Sequence, residues 1–173
     1  MSVLPITGTL PTTVFEKEAG KLGIEIERKF LVIGTSWKSE NATEYRQGYL
    51  NREPARTVRV RITGTEAWLT IKGLNDGPSR PEFEYPIPPD DAKQLLELCE
   101  QPIIEKRRHL VQVEGKTWEV DEFLGENAGL VVAEIELDSV DEEFATPNWL
   151  GEEVTNDARY LNSSLSKKPF CDW

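Results

Sequence analysis

Charged side chains recur two residues apart in this sequence, and the residues at this spacing are the candidates for catalysis or ligand binding. The stretch Glu25-Ile26-Glu27-Arg28-Lys29 opens the series. Later stretches repeat it with Arg59 and Arg61, Lys72, Glu82 and Glu84, Lys106 and Arg108, Glu119 and Asp121, and Glu134 and Glu136. Side chains two apart lie on one face of a β-strand, so each stretch predicts a strand with a charged face.

Cations and carboxylates at this spacing suit the two parts of a metal–phosphate complex: the cations suit the phosphate and the carboxylates suit the metal ion. Arginines can each fork onto phosphate oxygens, whereas carboxylates suit Mg²⁺ or Mn²⁺, which often share their ligands with substrate phosphates. Crowded cations repel each other by about 4 kcal/mol for a pair ~4 Å apart at an effective dielectric of 20, and a bound polyanion would relieve that repulsion. A surface with both sets of groups is typical of metal-assisted phosphoryl transfer.

The elements that must position these groups are mainly strands. Hydrophobic alternation predicts an α+β fold with about eight short antiparallel strands, an amphipathic helix at 91–100 and a second helix at 156–165. If these helices pack outside, on the apolar face, the charged face lines the interior of an eight-stranded antiparallel β-barrel, which forms a tunnel. The alternative is an open sheet whose charged face is simply solvated.

Composition limits the class of protein further. A chain of 173 residues suits one domain, which we place at 23–173. Residues 1–22 predict a loosely ordered N-terminal extension, with a docked arm as the alternative. The net charge of −11 argues against a nucleic-acid partner of the basic-patch kind. Two distant cysteines and the lack of a long apolar run indicate a cytoplasmic protein without a membrane partner.

Taken in order across residues 24–162, the charged stretches resemble the triphosphate tunnel metalloenzymes, also called the CYTH superfamily. Residues 25–29 match the ExExK signature of that family, and the later charged pairs follow in the same order. The closing segment 151–162 resembles the end of the short bacterial members. The resemblance implies an eight-stranded tunnel that holds a triphosphate end to end, with a C-terminal helix around Arg159 and Tyr160 at one opening.

The resemblance also implies roles for the charged residues. The phosphates would be gripped by the basic set Lys29, Arg59, Arg61, Lys72, Lys106 and Arg108. Divalent cations, Mg²⁺ or Mn²⁺, would be held by Glu25, Glu27, Asp121, Glu134 and Glu136, and one of them would activate water. The catalytic set would be Glu25, Glu27, Lys29, Glu134 and Glu136, supported by the orienting carboxylates Glu82, Glu84 and Glu119.

The predicted activity is metal-dependent hydrolysis of inorganic triphosphate, a small-molecule substrate, to diphosphate and phosphate inside the tunnel. Within the family, a class IV-type adenylyl cyclase or a thiamine or nucleoside triphosphatase is the alternative, and Trp37 or Trp68 would then offer a platform for the base. A polyphosphate-binding module without activity is the alternative outside enzymes. His109, on the face opposite Lys106 and Arg108, is interpreted as structural.

Overall fold

The structure is a computed structural model that describes residues 26–53, 55–73 and 81–173. Its strands are β1 (Ile26–Val32), β2 (Ala42–Asn51), β3 (Arg56–Thr63), β4 (Glu66–Gly73), β5 (Glu82–Pro86), β6 (Glu100–Val113), β7 (Lys116–Phe123), β8 (Val131–Leu137) and β9 (Leu150–Glu153). The helices are α1 (Pro89–Leu98) and α2 (Asn162–Leu165), with 3₁₀ turns at Gly125–Asn127, Ala158–Tyr160 and Phe170–Asp172. Glu25, a predicted metal ligand, and the predicted extension at 1–22 lie outside the described residues.

The strands form one antiparallel sheet of nine, in the order β5-β4-β3-β2-β6-β7-β8-β1-β9. The predicted eight-stranded closed barrel is therefore wrong in two respects. The strand count is nine, and β5 and β9 end the sheet without pairing to each other within the described ranges. The missed strand, β9, has four residues, Leu-Gly-Glu-Glu, and pairs with β1 at positions far away in the sequence. Its sequence lacks alternation, so only this distant partner makes it a strand.

The strand register places the predicted charged residues on one face of the sheet. Lys29 lies opposite Glu134, and Glu134 in turn lies opposite Glu119. Arg108 faces Asp121 across the next pair of strands. Because cross-strand partners share a face, the pairing continues through all of the predicted set that is described. We call this surface the charged face.

The middle of the charged face is not a solvated surface. Lys29, Lys106 and Asp121 retain 5%, 2% and 1% of their full exposure. Charged side chains are rarely this buried unless they are paired. The alternative is therefore right that the sheet is open and wrong in placing the central charges in bulk water.

The opposite face holds most of the apolar core. One cluster includes Phe30, Trp118 and Ile135, while a second joins Val60 to Leu96 of α1. Helix α1 therefore packs on the face that the hydrophobic pattern assigns to it. Burial of such side chains contributes roughly 1.5–3 kcal/mol each, so this face stabilises the sheet that carries the charges.

The C-terminal segment does not pack on the outer, apolar face of the sheet. Helix α2 has only four residues, and its Leu165 clusters with Ile104, Phe123 and Val132. These three residues share the charged face, because they pair with or alternate with its members. The segment thus covers an apolar end of the charged face, and the predicted placement of a helix at 156–165 on the outside is wrong.

None of the helices among residues 26–53, 55–73 and 81–173 has the length and apolar character needed to cross a membrane.

Candidate functional site

The strands β6, β7, β8 and β1 carry a half of the charged face in which carboxylates outnumber cations. Its members are Lys29, Lys106, Arg108, Glu27, Glu119, Asp121, Glu134 and Glu136, and we call it the acidic half. The strands β3, β4 and β5 carry the basic half, in which cations outnumber carboxylates. Its members are Arg59, Arg61, Lys72, Glu82 and Glu84.

The centre of the acidic half is a buried ion network around Asp121. Lys106 Nζ lies 2.5 Å from Asp121 Oδ2. Arg108 forks onto the same carboxylate, with Nε 2.7 Å from Oδ1 and Nη2 2.6 Å from Oδ2. Arg108 also donates to Glu119 and reaches Glu134 Oε2 at 3.5 Å. Forked arginine–carboxylate pairs are among the stronger charged hydrogen bonds, so this network fixes both cations in place.

Burial and pairing shift the pKa values of this network in different directions. Burial raises the pKa of Asp121, but Lys106 and Arg108 outweigh it and the net pKa is lowered. For Lys106, burial prevails over Asp121 and lowers the pKa of the ammonium group, and Arg108 lowers it further. Arg108 keeps a raised pKa because Asp121, Glu119 and Glu134 outweigh its burial. Asp121 is therefore held as a carboxylate and keeps the two cations aligned.

Lys29 is the cation of β1 and sits between two carboxylates. Its ammonium group donates to Glu134 and lies 3.2 Å from Glu27 Oε1. Burial alone would lower the pKa of Lys29, but Glu134 and Glu27 raise it above the ordinary value. Lys29 consequently stays charged, and it ties Glu27 and Glu134 together across β1 and β8.

The pairs of the basic half are more exposed. Arg59 Nη2 contacts Thr70 Oγ1 at 3.0 Å and Glu84 Oε1 at 3.3 Å, and Lys72 Nζ lies 2.7 Å from Glu82 Oε2. The Glu82 and Glu84 side chains are 40% and 41% exposed. The carboxylate of each pair is thus open to solvent, which screens its attraction to the more buried cation and weakens the pair.

Arg61 stands apart from the other cations of the charged face. Its guanidinium has no carboxylate of the described residues within 4.0 Å, whereas each of the others has at least one. Instead its Nε donates to Gln47 Oε1 at 3.1 Å. Burial, together with the charges of Arg59 and Arg108, lowers the pKa of Arg61. Positive charge is thus least compensated here.

The sequence pattern did not single out three neutral side chains of the charged face. Tyr45 lies within cation–π distance of Lys106, Arg108 and Arg61, whose charged centres are 5.7, 5.1 and 5.9 Å from its ring centroid. Gln47 and Thr70 accept hydrogen bonds from arginines. All three lie in predicted strands, at positions that alternate with residues of the opposite face. Their side chains carry no charge, so a search for charged residues two apart does not find them.

The remaining predicted residues are placed as follows. Glu136 lies opposite Glu27 across β8 and β1, and both are exposed. Trp37 is buried in the apolar core beside His109, away from the charged face. Trp68 lies opposite Arg61 and is half-buried on the charged face. His109 does lie on the face opposite Lys106, where its Nδ1 meets the Ser39 backbone.

The carboxylates fit a divalent metal in type and position, although they do not yet surround a common metal position. Glu27, Glu134 and Glu136 lie on the adjacent strands β1 and β8, and oxygen donors are the ligands that Mg²⁺ and Mn²⁺ prefer. Across the three described segments, no three acidic, histidine or cysteine side chains already surround a common metal position. Asp121 fits less well, since both its oxygens accept from Lys106 or Arg108.

The charged face combines arginines and lysines with alternating carboxylates, which are the groups that suit phosphate oxygens and divalent cations. The chain belongs to the CYTH domain family, whose sequence model matches residues 23–169.

The chain is similar to two proteins named inorganic triphosphatases and to one solved structure. An inorganic triphosphatase of Acetivibrio thermocellus is 53% identical over 151 residues, covering 86% of this chain and 97% of that protein. An inorganic triphosphatase of Nitrosomonas europaea is 37% identical over 147 residues, covering 82% and 96%. A crystal structure of an inorganic triphosphatase superposes with a TM-score of 0.68 at 36% identity, covering 82% of this chain and 93% of the other.

Proposed function

We propose that this protein is an inorganic triphosphatase that hydrolyses tripolyphosphate to diphosphate and phosphate with the help of a divalent cation. The observation that carries the proposal is the buried, single-sided array of Lys29, Lys106 and Arg108 facing carboxylates on neighbouring strands. The similarity to relatives named inorganic triphosphatases supports the choice of substrate.

The basic residues of the charged face would bind the substrate phosphates. Arg59 and Lys72 would exchange exposed carboxylates for phosphate oxygens, and Arg61 would gain an anionic partner that no described carboxylate provides within 4.0 Å. Arg108 and Lys106, aligned by Asp121, present further donors. Each charge-assisted hydrogen bond of this kind is worth about 1.5–3 kcal/mol.

The carboxylates Glu27, Glu134 and Glu136, together with Glu25, would hold the divalent cation, either Mg²⁺ or Mn²⁺. Such a cation supplies charge neutralisation at the phosphates and lowers the pKa of bound water. Lys29 keeps Glu27 and Glu134 within reach of one another before substrate arrives. Because these side chains do not form a complete ligand set among the described residues, substrate phosphates would complete it, as is usual for Mg²⁺.

The experiment that tests the proposal measures product formation from tripolyphosphate, ATP and thiamine triphosphate, each with Mg²⁺ or Mn²⁺. We expect tripolyphosphate to yield equal amounts of diphosphate and phosphate, with slower turnover of the organic triphosphates. Chelation of the metal should abolish turnover. Formation of cyclic AMP from ATP while tripolyphosphate stays intact would overturn the proposal.

A further inference from the structure

Gln47 is a fully buried polar side chain on the charged face, with 0% of its surface exposed. It lies opposite Arg61 across β2 and β3. The Nε of arginine can only donate, so the atom of Gln47 that meets it at 3.1 Å is the carbonyl oxygen Oε1. This contact fixes the orientation of the amide and leaves Nε2 as a donor.

The Nε2 donor of Gln47 has no hydrogen-bond partner among the described residues. Leaving such a group buried and unpaired destabilises the folded protein. Native proteins retain few groups of this kind, and each calls for a structural reason, such as a ligand that completes it. The neighbouring Nε of Arg59 is also buried without a partner in the described segments.

The same corner of the charged face carries positive charge that is only partly compensated. Arg61 has no carboxylate of the described residues within 4.0 Å. Burial and the charges of Arg59 and Arg108 lower its pKa, and the more distant Glu84 offsets this only in part. The Tyr45 ring, 5.9 Å from Arg61 and 5.1 Å from Arg108, softens this repulsion without neutralising it. An oxyanion bound here would neutralise the charge of Arg61 and accept a hydrogen bond from Gln47 Nε2.

We propose that Gln47 and Arg61 form an anion subsite in which one phosphate oxygen of the substrate accepts from both side chains. Gln47 positions the Arg61 guanidinium through Oε1 and offers Nε2 to the bound phosphate. The Gln47 amide is neutral, so it accepts a hydrogen bond from Arg61 without cancelling the positive charge. A carboxylate at this position would cancel that charge. The subsite rests on the proposed function, since it assigns one phosphate of the triphosphate to this corner.

The test measures binding of tripolyphosphate by calorimetry in a chelating buffer, so that metal ligation does not contribute. Gln47→Glu should pair with Arg61 and weaken binding by about 10- to 100-fold, the loss expected for a charge-assisted contact. Gln112→Glu is the matched control. Gln112 shares the charged face, is exposed and contacts Thr117, so the same added charge there should change affinity by about twofold or less.

A second variant separates positioning from folding. Gln47→Leu keeps the volume and removes both amide contacts, and we expect about a tenfold loss of affinity. In an Arg61→Met background the same Gln47→Leu change should cost less affinity than it does in the wild type, because only the Nε2 contact with the phosphate is then left to lose. Under turnover conditions Gln47→Leu should raise KM and leave kcat within about threefold. Additive losses in the double variant would contradict the proposed coupling.

The outcomes distinguish the subsite from the proposed function. If the wild-type protein neither binds nor hydrolyses tripolyphosphate, the proposed function fails and the subsite with it. If the wild-type protein binds tripolyphosphate but Gln47→Glu and Gln47→Leu bind it equally well, the subsite is wrong and the function stands. Should Gln47→Glu unfold, as seen in its melting curve, Gln47→Leu decides alone.

Discussion

The two halves of the charged face differ in how their charges are neutralised. In the acidic half, Lys106 and Asp121 are 2% and 1% exposed and satisfy each other. In the basic half, the Glu84 partner of Arg59 is 41% exposed, and Arg61 donates to the neutral amide of Gln47, with no carboxylate of the described segments within 4.0 Å. The ion pairs of the acidic half are thus complete without a ligand, whereas the basic half keeps positive charge that its carboxylates do not fully neutralise.

This difference indicates that the halves do different work. Buried ion pairs contribute little net stability but are costly to break, so they fix geometry. Exposed pairs exchange partners readily, so they suit a surface that must accept and release an anion. In the function we propose, the carboxylate surplus of the acidic half would supply ligands for a cation, while the basic half would bind phosphate.

The largest effect should come from breaking the buried network of the acidic half. Asp121→Asn leaves Lys106 and Arg108 without their shared carboxylate, and we expect the free energy of unfolding to fall by about 3–5 kcal/mol. Urea denaturation at constant m-value measures this change. The control Asp138→Asn removes a carboxylate that is 96% exposed, and it should cost less than about 1 kcal/mol. Equal losses in the two variants would contradict the structural role of Asp121.

The same network predicts a dependence of stability on pH. The pKa of Asp121 is lowered in the folded protein, so the carboxylate stabilises the fold fully above its unfolded pKa of about 3.9. That contribution is lost as the pH falls through the lower folded value. The stability difference between the wild type and Asp121→Asn should therefore shrink in strong acid. A difference that stays constant from neutral pH to strong acid would rule this out.

The basic half should show its effect in binding and not in folding. Arg61→Met removes the least compensated cation of the charged face, and we expect the affinity for metal-free tripolyphosphate to fall about 10- to 100-fold. Arg107→Met is the control, because Arg107 lies on the opposite face and is 48% exposed. Similar affinity losses in both variants would show that total charge matters and the position of Arg61 does not.

The smallest effect should follow from removing an exposed carboxylate of the basic half. Glu84→Gln frees Arg59 from an exposed partner, so the free energy of unfolding should change by less than about 1 kcal/mol. Affinity for tripolyphosphate should rise slightly, because one repulsive charge disappears. Calorimetry and thermal melting check the two parts. A marked loss of affinity would instead make Glu84 an essential orienting group.

The side of the sheet on which the charged residues lie could be predicted from sequence, and the closure of the sheet could not. Alternation within each strand is local, so Arg59 and Arg61 predict a shared face without knowledge of the partner strands. Closure requires β5 to meet β9, and β9 became a strand only through its distant pairing with β1. No local pattern in residues 150–153 indicates that partner.

The neutral members of the site were missed for a similar reason. Gln47 and Tyr45 resemble ordinary strand residues until the register of β2 against β3 and β6 places them beside Arg61 and Lys106. The position of the C-terminal segment did have a local signal. Ile104 is two residues from Lys106, and its apolar side chain at an end of the charged face offers α2 a surface to cover.

The division of labour between the halves can be tested most directly with Glu134→Gln, measured for turnover and for metal-free binding of tripolyphosphate. The matched control is Glu105→Gln, since Glu105 lies on the opposite face and pairs with Arg46. We predict that Glu134→Gln lowers turnover by about 100-fold or more, while metal-free affinity stays equal or rises as Lys29 loses a competing carboxylate. Equal losses of turnover and affinity, or no loss of turnover, would contradict the division of labour between the two halves.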